Sequence, residues 1–430
     1  MTTTPPLLAV VDPYGPGALI APAFRDLGWS CVAVTTASEP PAVLAHTWRP
    51  QDFDTVLHHE GTDGTDGTES SDSADGDGSA LCRALRAAGV SGVVTGMETG
   101  GPLADLLCSR LFPGRANTLG LAEARRDKAL THQALAEAGL PHLRQVRTDD
   151  FGRVEQWLAA TGLGRAEAVI LKPARSAGTD SVRRLRPGPG LRAAFASMAG
   201  RRNALGYVER EVLVQEYAVG TEFSVDTFSV DGVHDVCGVT RYAKRSVGSV
   251  VGIYDSVEFL GLDDPVCAGL VGYARDVLDA LGVRFGPMHA EIMLRPDGPV
   301  LIELNARAAG GQMPFLSRLA TGRSQLDRLT AYFGGTYDHA PGYGLRRHVM
   351  SVFVTAHRSG VLRNPDLLAD LGQLPTAARS TVEVPADGRV AETSDVFSVL
   401  GRVVLAGADR DQVQRDRARV KEIERGLQIV

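Results

Sequence analysis

The sequence predicts a multidomain chain that opens as α/β and continues as α+β. Three observations predict it. Its 430 residues exceed what one hydrophobic core ordinarily serves. Short apolar runs alternate with helical patterns over roughly the first 110 residues, as in a parallel sheet. Later runs come in pairs joined by turn residues, as in antiparallel hairpins. Four regions follow: 1–116 with an acidic insert at 60–79, then 117–210, 211–345 and 346–430.

The run 7–11 reads as a buried strand, residues 12–17 as a turn into a helix over 18–27, and 30–34 as a second strand, opening a right-handed βαβ unit. Gly15-Pro16-Gly17 is a poor phosphate loop, because it has no third glycine and puts proline where a backbone donor is wanted. A third strand is expected over 54–58. The stretch 60–79 has no apolar residue larger than alanine, so nothing offsets the entropy of ordering it, and it reads as a surface insertion. A helix over 80–88, a strand over 92–95 and a helix over 102–111 complete the region. Glu98 follows that last strand, where open α/β sheets bind ligands. It reads either as partner to a substrate ammonium group or as a cap for the next helix.

Residues 125–139 form a helix that Gly139 stops, with Pro141 beyond it and Lys128 near its start. A strand over 168–172 delivers Lys172 into a loop of small residues that includes Ser176, Gly178 and Thr179, whose N–H groups suit phosphate. The lysine precedes the loop, so this is no Walker A motif. A strand over 212–216 breaks at Gly220 and resumes over 222–230, ending at the hairpin turn Asp231-Gly232. Such a broken connector exposes backbone groups that can read a base edge. The basic, glycine-containing segment 240–254 offers Arg241 and Lys244 either as phosphate or carboxylate ligands or as parts of a surface turn. A helix over 265–281 packs on the sheet.

The most informative stretch is 285–313. Residues 289–294 and 300–304 are strands, and Arg295-Pro-Asp-Gly-Pro299 is turn chemistry. Reflection about Asp297 pairs Glu291 with Glu303 and His289 with Asn305, all on one face. Opposed carboxylates on largely apolar strands repel unless a cation joins them. Two acids with an amide oxygen suit Mg²⁺, or Mn²⁺, which fills its shell with water and phosphate. Arg307 then reaches an anion bound there. The bland alternative is a surface hairpin with two solvated glutamates.

His289-Ala-Glu291 followed by Glu303-Leu-Asn305-Ala-Arg307 resembles the end of the ATP-grasp fold. The tail Ala308-Ala309-Gly310-Gly311 looks most like the branch that joins a carboxylic acid to an amine, the L-amino acid ligases. The order of motifs from Lys128 to Arg307 carries the likeness. It implies an ATP-grasp fold behind a Rossmann-like domain (1–116), a lid and linker (117–210), a nucleotide- and metal-binding domain (211–345) and a small α+β cap (346–430). It also implies that Lys128 and Lys172 meet the ATP phosphates under the flap of Ser176, Gly178 and Thr179. Adenine would lie on Glu216, Tyr217 and Val219, and the ribose on Glu222. Glu291, Glu303 and Asn305 would hold the metal. Glu98, Arg241, Lys244, Gly310 and Gly311 are the candidates for substrate contact. Arg307 would steady the transferred phosphoryl group. His289 would orient substrate, accept the amine proton, or merely pack.

In the cap, strands are expected over 351–355, 381–384 and 402–405, then a helix over 409–426. The implied reaction is ligation of an amino acid carboxylate to an amine, through an acyl phosphate. The rival enzymes are a carboxylase and a purine-biosynthetic ligase, and the rival outside enzymes is a nucleotide-binding regulator. The resemblance implies small-molecule partners, and composition gives no sign of larger ones. The net charge of −6 comes from the insert, and the remainder stands at about +1, so no field favours nucleic acid or membrane. No apolar run is long enough to span a bilayer, the amino terminus does not read as a secretion signal, and a cytoplasmic protein is expected. The five scattered cysteines make neither disulfide framework nor zinc site. A homodimer is compatible with all of this.

Overall fold

A computed structural model describes residues 5–59, 78–165, 168–176, 181–247, 250–395 and 398–430. Most of the acidic insert, together with Gly178 and Thr179 of the proposed flap, lies outside the described residues.

Strands β1 (Leu7–Val11), β2 (Ser30–Thr35), β3 (Thr55–His58) and β4 (Val90–Thr95) form a parallel sheet in the order β3-β2-β1-β4. Around it stand α1 (Ile20–Arg25), α2 (Ser79–Ala87) and α3 (Gly101–Leu111). The first helix is shorter than its pattern suggests, because Gly15 takes a positive φ and Pro16 opens a 3₁₀ turn ahead of it. The strand order reverses between β1 and β4. There the two following loops touch: a Cβ on Gly17 would stand 2.5 Å from the Gly96 Cα.

After α4 (Lys128–Glu137), a second sheet is antiparallel. It contains β5 (Gln145–Thr148), β6 (Val169–Lys172), β7 (Arg183–Leu185) and β8 (Val212–Glu216) in the order β5-β8-β6-β7. Helices α5 (Phe151–Ala160) and α6 (Pro189–Met198) cover one face, burying Leu158, Leu191 and Phe195 against Val169, Leu171 and Val214. The other face is left for the site.

The core sheet takes the rest of the chain. It comprises β9 (Thr221–Val230), β10 (Val233–Val247), β11 (Val250–Phe259), β12 (Gly286–Arg295), β13 (Gly298–Asn305) and β14 (His348–Val354), joined later by β16 (Ala377–Val382) and β18 (Gly401–Gly407). A separate pair, β15 (Gly360–Val361) with β17 (Arg389–Val390), lies outside it. The order is β13-β12-β9-β10-β11-β14-β18-β16, so the carboxyl-terminal strands continue the same sheet. Helix α7 (Cys267–Ala280) buries Leu270, Tyr273, Ala274 and Val277 on one face. Helices α8 (Met313–Thr321), α9 (Gln325–Phe333) and α10 (Arg410–Arg425) complete the packing.

Three turns fix the geometry of the core. Asp231 and Gly232 both have positive φ, as a two-residue turn between twisted strands demands, and they set the β9–β10 hairpin. The segment 240–254 is no surface turn but the body of a second hairpin, β10 on β11. The third closes β12 on β13 with Arg295 opposite Gly298.

Candidate functional site

Between the second, antiparallel sheet and the core sheet lies a cavity of about 460 Å³. The second sheet contributes Ile170, Lys172, Gln215 and Glu216; the core contributes Glu222, Tyr242, Lys244, Tyr254, Glu291 and Glu303.

The opposed acids owe their alignment to a bulge. Counted from the Arg295–Gly298 turn, a regular ladder would set Glu291 against Ile302. Instead Ile292 pairs with Leu301 and Glu291 with Glu303, so Ile302 is an extra residue on β13. Both Ile302 and Glu303 consequently face the cavity, which consecutive residues of a regular strand cannot do. Beyond the bulge His289 pairs with Asn305.

Lys128, His289 and Arg307 each hold a carboxylate at this end of the cavity. Asp127 caps α4 by accepting from the N–H groups of Ala129 (2.9 Å) and Leu130 (3.2 Å), which fixes Lys128 in the first turn. Lys128 Nζ then donates to the Ser176 carbonyl at 2.9 Å and meets Glu303 Oε1 at 2.8 Å. His289 lies between Asp226 (Nδ1 to Oδ1, 2.6 Å) and Glu291 (Nε2 to Oε1, 3.4 Å). Arg307 Nε donates to Glu98 Oε2, Nη2 to Asn305 Oδ1 at 3.3 Å, and Nη1 to the Ala308 carbonyl at 2.9 Å. Its five N–H groups leave Nη1 and Nη2 one hydrogen each, the fork that fits one anion.

The protonation states follow. Burial works against the charge of His289, but Asp226 and Glu291 outweigh it and raise its pKa to about 10. The two carboxylates thus favour the imidazolium, which donates from both ring nitrogens, over a proton acceptor. Burial opposes ionisation of Glu291, yet His289 and Lys244 pull it down to about 2. Burial, aided by neighbouring Lys128, pushes Lys172 down to about 7. For Lys128 burial is again the largest influence, but Glu303 and Glu98 override it and raise the pKa. Glu98 stays ionised because Arg307 outweighs its burial.

The other candidates divide. Glu222 lines the cavity and meets Lys244 Nζ at 2.5 Å; that ammonium also lies 4.8 and 4.5 Å from the ring centres of Tyr242 and Tyr254. Glu216 faces Arg144 (2.6 Å) and Arg295 (3.4 Å), so only its backbone remains to meet a base. Tyr217 lines the cavity under the Arg184 guanidinium. Val219 is exposed and its side chain lies off the cavity wall. Arg241 is on the opposite face, paired with Glu258 and Asp264, because side chains alternate along β10; its expected contact with phosphate or substrate is corrected. Glu98 is neither a cap nor solvent-facing: one oxygen holds Arg307 and the other is buried with no hydrogen-bond partner. Gly310 approaches Arg307, its Cβ position 3.8 Å from Nη1, and Gly311 takes a positive φ.

Sequence reading missed Asp226, Tyr242 and Tyr254. The first had a signal, since it shares strand parity with Glu222; the tyrosines had one in the alternation of Tyr242 with Lys244. Among the described residues no group of three or more His, Cys, Asp and Glu side chains can hold a metal. The donor set Glu291, Glu303 and Asn305 is all-oxygen and anionic, and so fits a hard divalent ion that draws its remaining ligands from water and phosphate.

Residues 166–314 match the ATP-grasp domain. The whole chain superposes on the L-amino acid ligase of Bacillus licheniformis with a TM-score of 0.71, covering 100% of this chain and 99% of that one at 16% identity. It also superposes on the ATP complex of carboxyaminoimidazole ribonucleotide synthase from Aspergillus clavatus, with a TM-score of 0.66, 99% of both chains and 13% identity. Two sheets that clasp a cavity, with a domain match running through both, give the chain the ATP-grasp fold. Among its relatives is dapdiamide A synthase of Enterobacter agglomerans, 29% identical over 324 residues, which are 75% of this chain and 72% of that protein.

Proposed function

We propose that the protein is an ATP-dependent carboxylate–amine ligase that forms an amide bond between two amino acids, or an amino acid and an amine, releasing ADP and phosphate. One observation carries the reading. Lys128, Lys172, Glu291 and Glu303 converge at one end of a cavity of nucleotide size, and Arg307 stands just beyond them with two N–H groups to spare. The kinship with dapdiamide A synthase and the L-amino acid ligase fold favours this branch over carboxylases and purine-biosynthetic enzymes.

Adenine would lie at the apolar end, among Leu143, Ile170, Met293 and Ile302, beside backbone that belongs to neither ladder between β8 and β9. Glu222, on the cavity wall, would take the ribose hydroxyls. Lys128 and Lys172 neutralise phosphate oxygens. A divalent ion, Mg²⁺ or Mn²⁺, held by Glu291, Glu303 and Asn305, would supply charge neutralisation across the triphosphate. The donor carboxylate attacks the γ-phosphorus in line, ADP leaves, and an acyl phosphate forms. Arg307 offers its Nη1–H and Nη2–H to the transferred phosphoryl group and then to the tetrahedral oxyanion as the amine attacks and phosphate departs. The buried, unpartnered oxygen of Glu98 suits the ammonium group of the donor amino acid.

The test is ADP release against a panel of paired amino acids, with mass analysis of the products. An ATP- and amine-dependent amide is expected; turnover that needs no amine in any pairing rules the ligase out.

A further inference from the structure

Two carboxylates on facing strands could adopt many side-chain arrangements, and here both line the same cavity. The rows of the sheet show how one is selected. Asp226, His289 and Asn305 form one row across β9, β12 and β13, and Ser224, Glu291 and Glu303 form the next. Residues 289 and 291 therefore point to the same face. The side chains of His289 and Asp226 are 7% and 5% exposed, against 21% for both Glu291 and Glu303. His289 lies off the cavity wall that Glu291 helps to form. Placed behind the carboxylates, it meets the cavity only through Glu291. On the other side Lys128 holds Glu303, so each acid is tethered by a different cation from a different element.

We infer that the Asp226–His289 pair is a positioning device: Asp226 fixes the imidazole ring, and the ring's Nε2–H fixes the carboxylate of Glu291 in the orientation that receives a metal–nucleotide complex. The inference rests on the ligase reading and adds to it two residues that act through another. Outer-shell partners of this kind are worth roughly 10–100-fold in metal affinity when removed.

The test uses isosteres of the two ring nitrogens. An asparagine amide reproduces the reach of Nδ1, and a glutamine amide that of Nε2. His289→Asn keeps the Asp226 contact and loses Glu291, whereas His289→Gln keeps Glu291. Binding of a non-hydrolysable ATP analogue is measured by calorimetry with Mn²⁺ and with the metal chelated. In the presence of Mn²⁺, His289→Asn is expected to weaken binding at least about tenfold and His289→Gln to recover most of that loss, with metal-free affinity unchanged. Should His289→Asn fail to fold, Asp226→Asn serves instead. It retains the shape of the site and is expected to weaken only the metal-dependent affinity. A merely structural pair would lower melting temperature and leave the metal-dependent increment intact, or reduce both affinities equally; either result overturns the inference. If the wild-type protein itself gains no affinity from Mn²⁺, the ligase reading is what fails.

Discussion

At the scale of single residues, Lys172 and Arg307 make the sharpest commitments. Lys172 is buried, and with its pKa near 7 it is only partly charged before nucleotide binds. Phosphate oxygens favour the charged form, so nucleotide binding must draw a proton from solvent wherever the free lysine is neutral. The sign is fixed: little uptake is expected near pH 5.5, where the lysine is already charged, and increasing uptake as pH climbs past 7, with affinity falling up to about tenfold per unit. Calorimetry in buffers of different ionisation heat measures this, and Lys172→Met should abolish it. A wild-type protein that binds ATP with no uptake at pH 8 would refute the placement of Lys172 on phosphate. Arg307 spends Nε on Glu98 and keeps two parallel donors for the reacting anion. Arg307→Lys retains the charge but loses the fork, and should lower kcat by roughly 10²–10³ with nucleotide affinity nearly unchanged. Equal loss in both would place Arg307 in ground-state binding instead.

At the scale of elements, the site was legible where a side chain's role depends on its own strand and illegible where it depends on a neighbour. Glu291 and Glu303 could be paired by reflection about the turn, although it is the bulge at Ile302 that makes that register true. Arg241 and Lys244, three apart, fall on opposite faces by simple alternation, a signal overlooked when both were offered as ligands. β10 has a matching irregularity at Ala243–Lys244, where Asp255 is the extra residue of β11 and turns out to meet Arg417 and Lys421 of α10. Strand β5 escaped notice because Gln145-Val-Arg-Thr148 carries one aliphatic residue. Helix α6 hid behind Pro187-Gly188-Pro189-Gly190, which reads as a loop. The connector between β8 and β9 yields a prediction of its own. Gly220 is there for close approach: a Cβ would stand 2.1 Å from the Leu294 carbonyl oxygen. Gly220→Ala must push β12 and the second sheet apart. It should destabilise the protein by about 1–3 kcal/mol and weaken ATP binding more than a surface glycine substitution such as Gly139→Ala at its own cost in strain. Thermal melts paired with nucleotide titrations compare the two.

At the scale of the whole molecule, the sequence suggested a carboxyl-terminal cap appended after residue 345, and the sheet order shows what that boundary would cut. β14 pairs with β11 through Ser256–Val352 to Phe259–Val349, and β18 and β16 continue outward from it. The apolar layer holding Tyr242, Val257 and Phe259 also contains Val349, Phe353 and Val404. Tyr242 and its neighbour Tyr254 line the cavity. Ending the chain at residue 345 would therefore bare the hydrogen-bonding edge of β11 and strip the support from the residues that flank Lys244. An exposed long edge of this kind invites intermolecular pairing. The expected outcome is a fragment that aggregates or binds no nucleotide, while the intact chain unfolds its core sheet in one cooperative step. Expression of residues 1–345, followed by size exclusion and ATP-analogue titration, decides the matter. A monomeric fragment with intact nucleotide affinity would show that the last strands lean on a site already complete without them.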